Sequence, residues 1–363
     1  MFIPGPAGPK PDHARSQAAN IGEIMNRTDI RLALPSKGRL AEDTSDFLAA
    51  CGLKIYRPNP RQYAAHIPTL PGLTVIFQRP ADIATSVSQG TVDFGITGRD
   101  VFHERAGDPQ ILLLHDALGF SPCDLRVAVP EEWTSVRTMA SLASHAAQLW
   151  QQEARPLRVA TKFPNLTSRY LQQHHVAPYE LINVAGTLEI APAIGYADLI
   201  CDLVSTGTTL RDNHLRPLDD GLILASEAIL IAHRPGLQTR PGTLALAREL
   251  LEYIEAHLRA QECYLVFANM RGQTPQEIAR RMFTQANLTG LQGPTISPIL
   301  PNPASENGGG WYAVNLIVRK DHLSRTITAL RAVGGSGVVV SPVTYIFEEE
   351  PARYQAMIAA LQP

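Results

Sequence analysis

A chain of 363 residues, 45% hydrophobic and 18% charged, has room for two or three domains with sizeable cores. Its formal net charge of −2 excludes a global field for nucleic acid or an anionic membrane, so anionic ligands must be held by local cations and backbone N–H groups. No apolar run reaches the roughly 18 residues of a membrane span, and the cysteines (Cys51, Cys123, Cys201, Cys263) form no C-x-x-C pair, which argues against a zinc site or disulfide framework and fits a reducing cytosol.

Residues 1–27 are rich in Pro, Gly and Ala and lack an apolar segment, so they read as a disordered extension and not as a secretory signal. From Ile30 onward, short β-rich runs alternate with stretches of helical length. Strands are expected at 31–35, 73–77, 92–96, 111–114, 125–129, 157–160, 180–184 and 199–204. Helices are expected from Leu40 to Cys51, closed by Gly52, and over 81–89, 136–153, 165–174 and 188–195. This alternation predicts an α/β architecture with largely parallel sheets. Pro122 and Pro130 bracket a fresh strand, where the chain would cross into a second lobe. A cleft between two such lobes would set several strand carboxyl ends face to face, where open α/β sheets bind ligands.

A long amphipathic helix follows, with Leu246, Leu250, Leu251, Ile254 and Leu258 on one stripe. Beyond it come a strand at 264–268, a helix at 274–288 with Thr274 as N-cap and Pro275 at N1, and strands at 295–300 and 312–318. Asp321 would cap a further helix closed by Gly334-Gly335, before a last strand at 338–347. The order βαββαβ is the ferredoxin-like split unit, a separate small domain.

The most informative segment is Cys201-Asp-Leu-Val-Ser-Thr-Gly-Thr-Thr-Leu210. A buried strand delivers Asp202, then Ser205, Thr206, Gly207, Thr208 and Thr209 turn into a short helix. Hydroxyls, free N–H groups and a glycine that admits close approach suit a phosphate monoester, with the carboxylate on ribose hydroxyls. A plain capping turn is the alternative. Lys37-Gly38-Arg39 forms another strand-to-helix turn with two cations, either an anion site or a solvated basic turn. Thr97-Gly98-Arg99-Asp100 is similar, and Arg99 has the fork for bidentate phosphate contacts. Arg79 and Asp82 read on their own as a surface Arg–Asp pair, and Lys162 and Glu189 equally as ligand-facing charges or as ordinary surface or cap charges. No G-x-S-x-G elbow, H-E-x-x-H zinc pair, G-x-G-x-x-G fingerprint or G-x-x-x-x-G-K-[ST] loop is present.

The 201–210 segment resembles the PRPP-binding signature of the ATP phosphoribosyltransferases. Leu34-Pro-Ser-Lys-Gly-Arg-Leu40, Arg79-Pro-Ala-Asp-Ile83, Val92-Asp-Phe-Gly-Ile-Thr-Gly-Arg-Asp100, Ala160-Thr-Lys-Phe-Pro-Asn165, Arg169-Tyr-Leu171 and Gly186-Thr-Leu-Glu-Ile-Ala-Pro192 follow that family's order and spacing. The ferredoxin-like domain makes the chain similar to the family's long form. The resemblance implies a two-lobed, periplasmic-binding-protein-like catalytic region: lobe I at 28–121, completed by about 210–262, lobe II at 122–209, and the regulatory domain at 263–363.

The resemblance also implies the reaction, in which N1 of ATP attacks C1 of PRPP and pyrophosphate leaves, the first step of histidine biosynthesis. By the same carry-over, Asp202 and Ser205–Thr209 hold PRPP, and Arg39, Arg79 and Arg99 with Mg²⁺ offset charge on the leaving group. Lys37, Gly38, Asp82, Thr97, Gly98, Lys162 and Glu189 serve ATP. Leu291, Thr295, Gly335 and Ser336 would bind histidine as inhibitor, although Asn269-Met270 stands where an acidic residue is expected. A cytoplasmic homo-oligomer, dimers assembling into hexamers, is implied too. The rival readings are a two-lobed small-molecule binding protein, expected to carry a secretion signal or lipid anchor, and a non-catalytic regulator, expected to lose the Asp202 loop.

Overall fold

The structure, a computed structural model, describes residues 29–59, 62–183, 187–286, 288, 290, 293–300 and 310–362. The expected N-terminal extension lies outside these residues. The chain divides into two compact units, Met1–Ala247 with Arg353–Pro363, and Arg248–Ala352.

The first unit begins with β1 (Ile30–Pro35), α1 (Arg39–Ala50), β2 (Ala64–His66), β3 (Leu73–Gln78), α2 (Pro80–Ser88), β4 (Phe94–Gly98), α3 (Arg99–Glu104) and β5 (Ile111–His115). It then crosses to β6 (Cys123–Pro130), α4 (Met139–Glu153), β7 (Leu157–Thr161), α5 (Pro164–Gln173), β8 (Tyr179–Asn183), β9 (Leu199–Val204), α6 (Thr208–Asp212) and β10 (Leu215–Ser226). A second crossing returns it to β11 (Ala228–His233) and α7 (Arg234–Thr239), before α8 (Thr243–Gln261). Among the described residues the sheets are β2-β3-β1-β4-β11-β5 and β10-β6-β9-β7-β8.

Local chemistry explains these elements. β1 reads as one apolar run because parallel β3 and β4 flank it and its residues are mostly buried. α1 turns Thr44, Phe47 and Leu48 inward at helical spacing. α4 opens on a reciprocal Thr138–Ser141 capping box and buries Met139, Leu142, Ala146 and Leu149 on the second sheet.

The expectation of largely parallel sheets needs correction. β1 runs parallel to β3 and β4, and β7 to β8 and β9, but β11 is antiparallel to β4 and β5, and β6 to β9 and β10. The double crossing is the cause. β5 and β10 each leave a lobe at the end where the parallel strands finish, so β6 and β11 enter at that end and run backwards. For the same reason Leu215–Ser226 joins the second sheet, and the first lobe resumes at Ala228 rather than near 210. The helix expected at 188–195 is a run of turns, Ala191 N to Leu188 O at 2.9 Å and Gly195 N to Pro192 O at 3.0 Å. Pro192 has no N–H to continue a helix.

The second unit carries most of α8, then β12 (Cys263–Arg271), α9 (Pro275–Ala286), β13 (Thr295–Pro298), β14 (Trp311–Arg319), α10 (Leu323–Ala332) and β15 (Ser336–Pro342). Its antiparallel sheet has the order β13-β14-β12-β15, the ferredoxin-like arrangement, over a core that includes Val266, Ile278, Met282, Leu316 and Leu330. Thr274 Oγ1 accepts from Glu277 N at 3.2 Å, the expected cap. Asp321 does not cap α10; it accepts from Arg319 Nε at 3.3 Å within a 3₁₀ turn, Lys320–His322. The compact unit starts at Arg248 and ends at Ala352, against the expected 263–363. A final helix the sequence reading missed, α11 (Ala352–Leu361), packs on the first unit through buried Met357.

Candidate active site

The two crossings, residues 116–122 and 226–228, lie side by side. Leu118 N donates to Ala228 O at 3.0 Å, Ala228 N to Phe120 O at 3.1 Å, and Gly119 N to Glu227 Oε2 at 2.9 Å. Above them opens a mainly apolar cavity of about 280 Å³, lined from the first lobe by Arg39, Pro80 and Gly98, from the crossings by Ser121 and Ser226, and from the second lobe by Leu203 and Ser205. Its floor holds buried Asp100, which accepts from Ser226 Oγ at 2.5 Å and whose carboxyl burial pushes above the usual range.

Ser205 also lines a smaller cavity of about 60 Å³ with Glu189, Asp202, Thr206, Gly207 and Thr209. Gly207 sits at φ 71°, ψ 3° and starts α6, a left-handed conformation that glycine takes without strain. Thr206 Oγ1 donates to Thr208 Oγ1 at 3.2 Å, so Thr208 belongs to the corner although it does not line the cavity. Asp202 Oδ1 accepts from Leu203 N at 2.8 Å. Burial raises the pKa of Asp202, opposed by that N–H and by Lys162, with Glu189 adding to the rise. Glu189 lines the same small cavity as Asp202, and Lys162 is near enough for its charge to act on that carboxyl. Arg211 went unnoticed in the sequence. Its Nη2 donates to Thr208 Oγ1 at 3.3 Å, and an arginine three residues into a short helix carries no signal of its own.

The three arginines separate. Arg39 opens α1, lines the cavity above the crossings and is held by Asp43 at 3.4 Å while remaining 62% exposed. Arg79 is exposed at the start of α2, and among the described residues its side chain has no hydrogen bond or ion pair. Arg99, expected on phosphate, is instead bonded to the segments that join the lobes. Its Nη2 donates to Asp116 O at 2.6 Å and Glu227 Oε1 at 3.0 Å, and its Nη1 to Ala225 O at 3.2 Å. Arg99→Ala should therefore act on stability first, lowering it by about 1–3 kcal/mol through the orphaned acceptors, as read by denaturant unfolding.

Thr97 is wholly buried and donates to Pro80 O at 3.0 Å, so its hydroxyl is unavailable to a nucleotide. Gly98 is on the cavity wall, where a Cβ would collide with Asp100 Oδ1. Asp82 is exposed in the first turn of α2. Lys37 and Gly38, the latter at φ 78°, line a third cavity of about 360 Å³ with Ser36, Arg57 and Phe77.

A lobe-to-lobe link was also missed. Glu104 of α3 accepts from Asn165 N at 2.7 Å and Leu166 N at 2.9 Å, capping α5 in the other lobe. A glutamate ending a short helix reads only as a surface charge. Glu104→Ala should speed hydrogen exchange at the Asn165 and Leu166 amides and cost about 0.5–2 kcal/mol; unchanged exchange would show the link to be idle.

In the second unit, Thr295 lines a cavity of about 360 Å³ with Leu265, Asn315, Phe347 and Glu348. Ser336 starts β15 at the opposite sheet edge, and Gly335 N donates to Leu330 O at 2.8 Å. The Gly335 N–H is thus committed to the end of α10. Leu291 lies outside the described residues.

Burial pushes the Cys51 and Cys201 thiols up to about 12 and Cys123 up to about 11, so these cysteines are poor nucleophiles. Two α/β lobes, a hydroxyl-lined corner at a strand end and cations on the facing lobe define an enzyme of the phosphoribosyltransferase class, which aligns anionic substrates without attacking them itself.

Residues 79–274 match the family described as ATP phosphoribosyltransferase, and residues 260–345 match the HisG C-terminal domain. ATP phosphoribosyltransferase 2, chloroplastic, of Arabidopsis thaliana is 43% identical over 347 residues, 95% of this chain and 83% of that protein. ATP phosphoribosyltransferase of Bradyrhizobium sp. (strain ORS 278) is 34% identical over 336 residues, 91% of this chain and 98% of that protein. Among solved structures, the ATP phosphoribosyl transferase (HisG:HisZ) complex from Thermotoga maritima is similar at 25% identity and a TM-score of 0.46, over 62% of this chain and 96% of that chain. The chain belongs to the ATP phosphoribosyltransferase family, in its long form, and catalyses the first step of histidine biosynthesis. Enzymes of this family need a divalent metal. Among the described residues no three His, Cys, Asp or Glu side chains converge on one point; Asp202 and Glu189 are the carboxylates at the corner.

Proposed function

We propose that the β9–α6 corner seats the 5-phosphate and ribose of PRPP, and that ATP occupies the adjoining interlobe cavity with N1 facing C1. The observation that carries this is Ser205, shared by the phosphate-sized corner and by the cavity that Arg39 lines. Transfer passes through an oxocarbenium-like state. The protein therefore has to align the substrates and offset charge building on pyrophosphate, a role that suits exposed Arg39 and Arg79. Asp202, oriented by Leu203 N–H, holds the ribose hydroxyls. Mg²⁺ fits this donor set, since it binds through one or two carboxylates plus substrate phosphates, and when bound it neutralises diphosphate charge. The test is to mix the protein with ATP, PRPP and Mg²⁺ and follow phosphoribosyl-ATP by its ultraviolet absorbance. No phosphoribosyl-ATP with all three present, or formation left intact by Asp202→Ala, would overturn the reading.

The same reading makes the second unit a histidine sensor. The cavity beside Thr295 offers Asn315 and Glu348 as polar partners, while Ser336 lies on the far sheet edge. A site using both edges needs two copies, which supports a homo-oligomer. An effector acts through different affinity for two states, so histidine should lower the initial rate, and no inhibition at millimolar histidine removes this part. Largely buried free thiols suit a reducing compartment, the cytoplasm in this reading.

A further inference from the structure

The final helix lies beyond the matched family segments, which end at residue 345, and nothing in the transfer chemistry requires it. Both of its ends are nevertheless pinned to the first unit. At the start, Arg353 Nη2 lies 2.5 Å from Asp116 Oδ1 in a partly exposed ion pair; that oxygen is sealed from solvent and, among the described residues, accepts no hydrogen bond, so the contact is one of charge. At the end, Arg234 Nη1 donates to Ala360 O at 2.6 Å and Gln238 Nε2 to Leu361 O at 3.1 Å. These bonds satisfy carbonyls that the last turn of a helix leaves open. Met357 is buried between the two anchors.

Asp116 is the first residue of the first interlobe crossing. Its carbonyl takes Arg99 Nη2, and the same guanidinium grips Ala225 O and Glu227 Oε1 at the second crossing. Arg353 is therefore linked to both segments that join the lobes in two steps, an ion pair to the Asp116 side chain and the Arg99 bonds to the Asp116 carbonyl, Ala225 and Glu227. Such segments absorb the backbone rotation when a two-lobed enzyme closes on its ligands. A group that holds them in one setting biases the closing equilibrium in proportion to its preference for that setting.

We propose that α11 is a hinge strap, and that Arg353 is a positioning residue that fixes the interlobe setting through Asp116 and Arg99. Arg353 touches neither substrate. Its effect falls on ATP and PRPP together, because both bind where the lobes meet. A partly exposed ion pair shifts an equilibrium by about two- to fivefold, which sets the scale of the effect.

The test uses the full chain carrying Arg353→Gln, Arg353→Lys, Asp116→Asn and the Arg353→Gln/Asp116→Asn pair. Spin labels on one exposed position in each lobe report the interlobe distance, and steady-state kinetics report kcat and both KM values. Arg353→Gln should broaden the distance distribution and raise both KM values about two- to fivefold, with Arg353→Lys recovering part of the change. The double variant should match the singles rather than add to them. An unchanged distance distribution, additive losses, or a change in one KM alone would overturn the proposal. A drop in melting temperature that Arg353→Lys does not relieve, with distances and KM values intact, would reduce α11 to a structural patch and overturn it equally.

Discussion

Replacing Arg39 with alanine is expected to lower kcat by about 10²–10³-fold, with KM for ATP and PRPP changed far less, as expected when one preorganised donor is removed from developing charge. Arg39 is suited to this because its position is fixed and its head group is open. Gly38 at φ 78° turns the chain so that α1 begins with Arg39, and Asp43 one turn on steadies the side chain. Asp43 is itself held by Ser121 Oγ at 2.5 Å, which ties the arginine to the first crossing. Single-turnover rates separate the possibilities. A variant with normal chemistry but weakened substrate binding would move Arg39 from the leaving group to ground-state capture.

Asp202→Asn should trade affinity for stability. Loss of the charged acceptor is expected to raise KM for PRPP by roughly tenfold or more, the weight of a charge-assisted hydrogen bond, with a smaller change for ATP. Burial holds the folded pKa of Asp202 above its unfolded value of 3.8. The folded state therefore binds this proton more tightly. Ionised Asp202 costs stability that is absent below the unfolded pKa, appears as pH rises through the folded pKa, and is complete above it. The asparagine oxygen can still accept from Leu203 N, so the variant should melt higher than the wild type at neutral pH and lose that advantage in acid. Equal loss for both substrates would show that the corner does not hold PRPP.

The sequence revealed these residues because their signals are local. Asp202 follows the buried apolar run of β9, Leu199 to Cys201, and Gly207 stands where a left-handed turn opens a helix. What stayed hidden depends on partners far along the chain. Arg99 looks like a phosphate fork until Ala225 and Glu227, more than a hundred residues on, take its donors. Glu104 gains its meaning only when α5 presents its amides. β10 escaped notice because register shifts after Pro217 and Leu222 break the alternation that marks a half-buried strand. α11 has a weak apolar stripe, since only Met357 is buried, and gave no periodic signal. Largely parallel sheets were expected because alternating strands and helices imply crossover connections; a chain that visits another lobe and returns breaks that inference.

The place of β11 between β4 and β5 has a consequence for biogenesis. β5 pairs with no strand other than β11 among the described residues, so it waits on the ribosome until a segment more than a hundred residues later has emerged. Until then the nascent first lobe exposes the open edge of β4 and an orphan apolar strand, the kind of surface that recruits chaperones or neighbouring chains. Closing the lobe is one of the longest-range events in the chain, and such non-local pairing is intrinsically slow. Newly made protein should be at its most aggregation-prone in the interval between the emergence of these two strands.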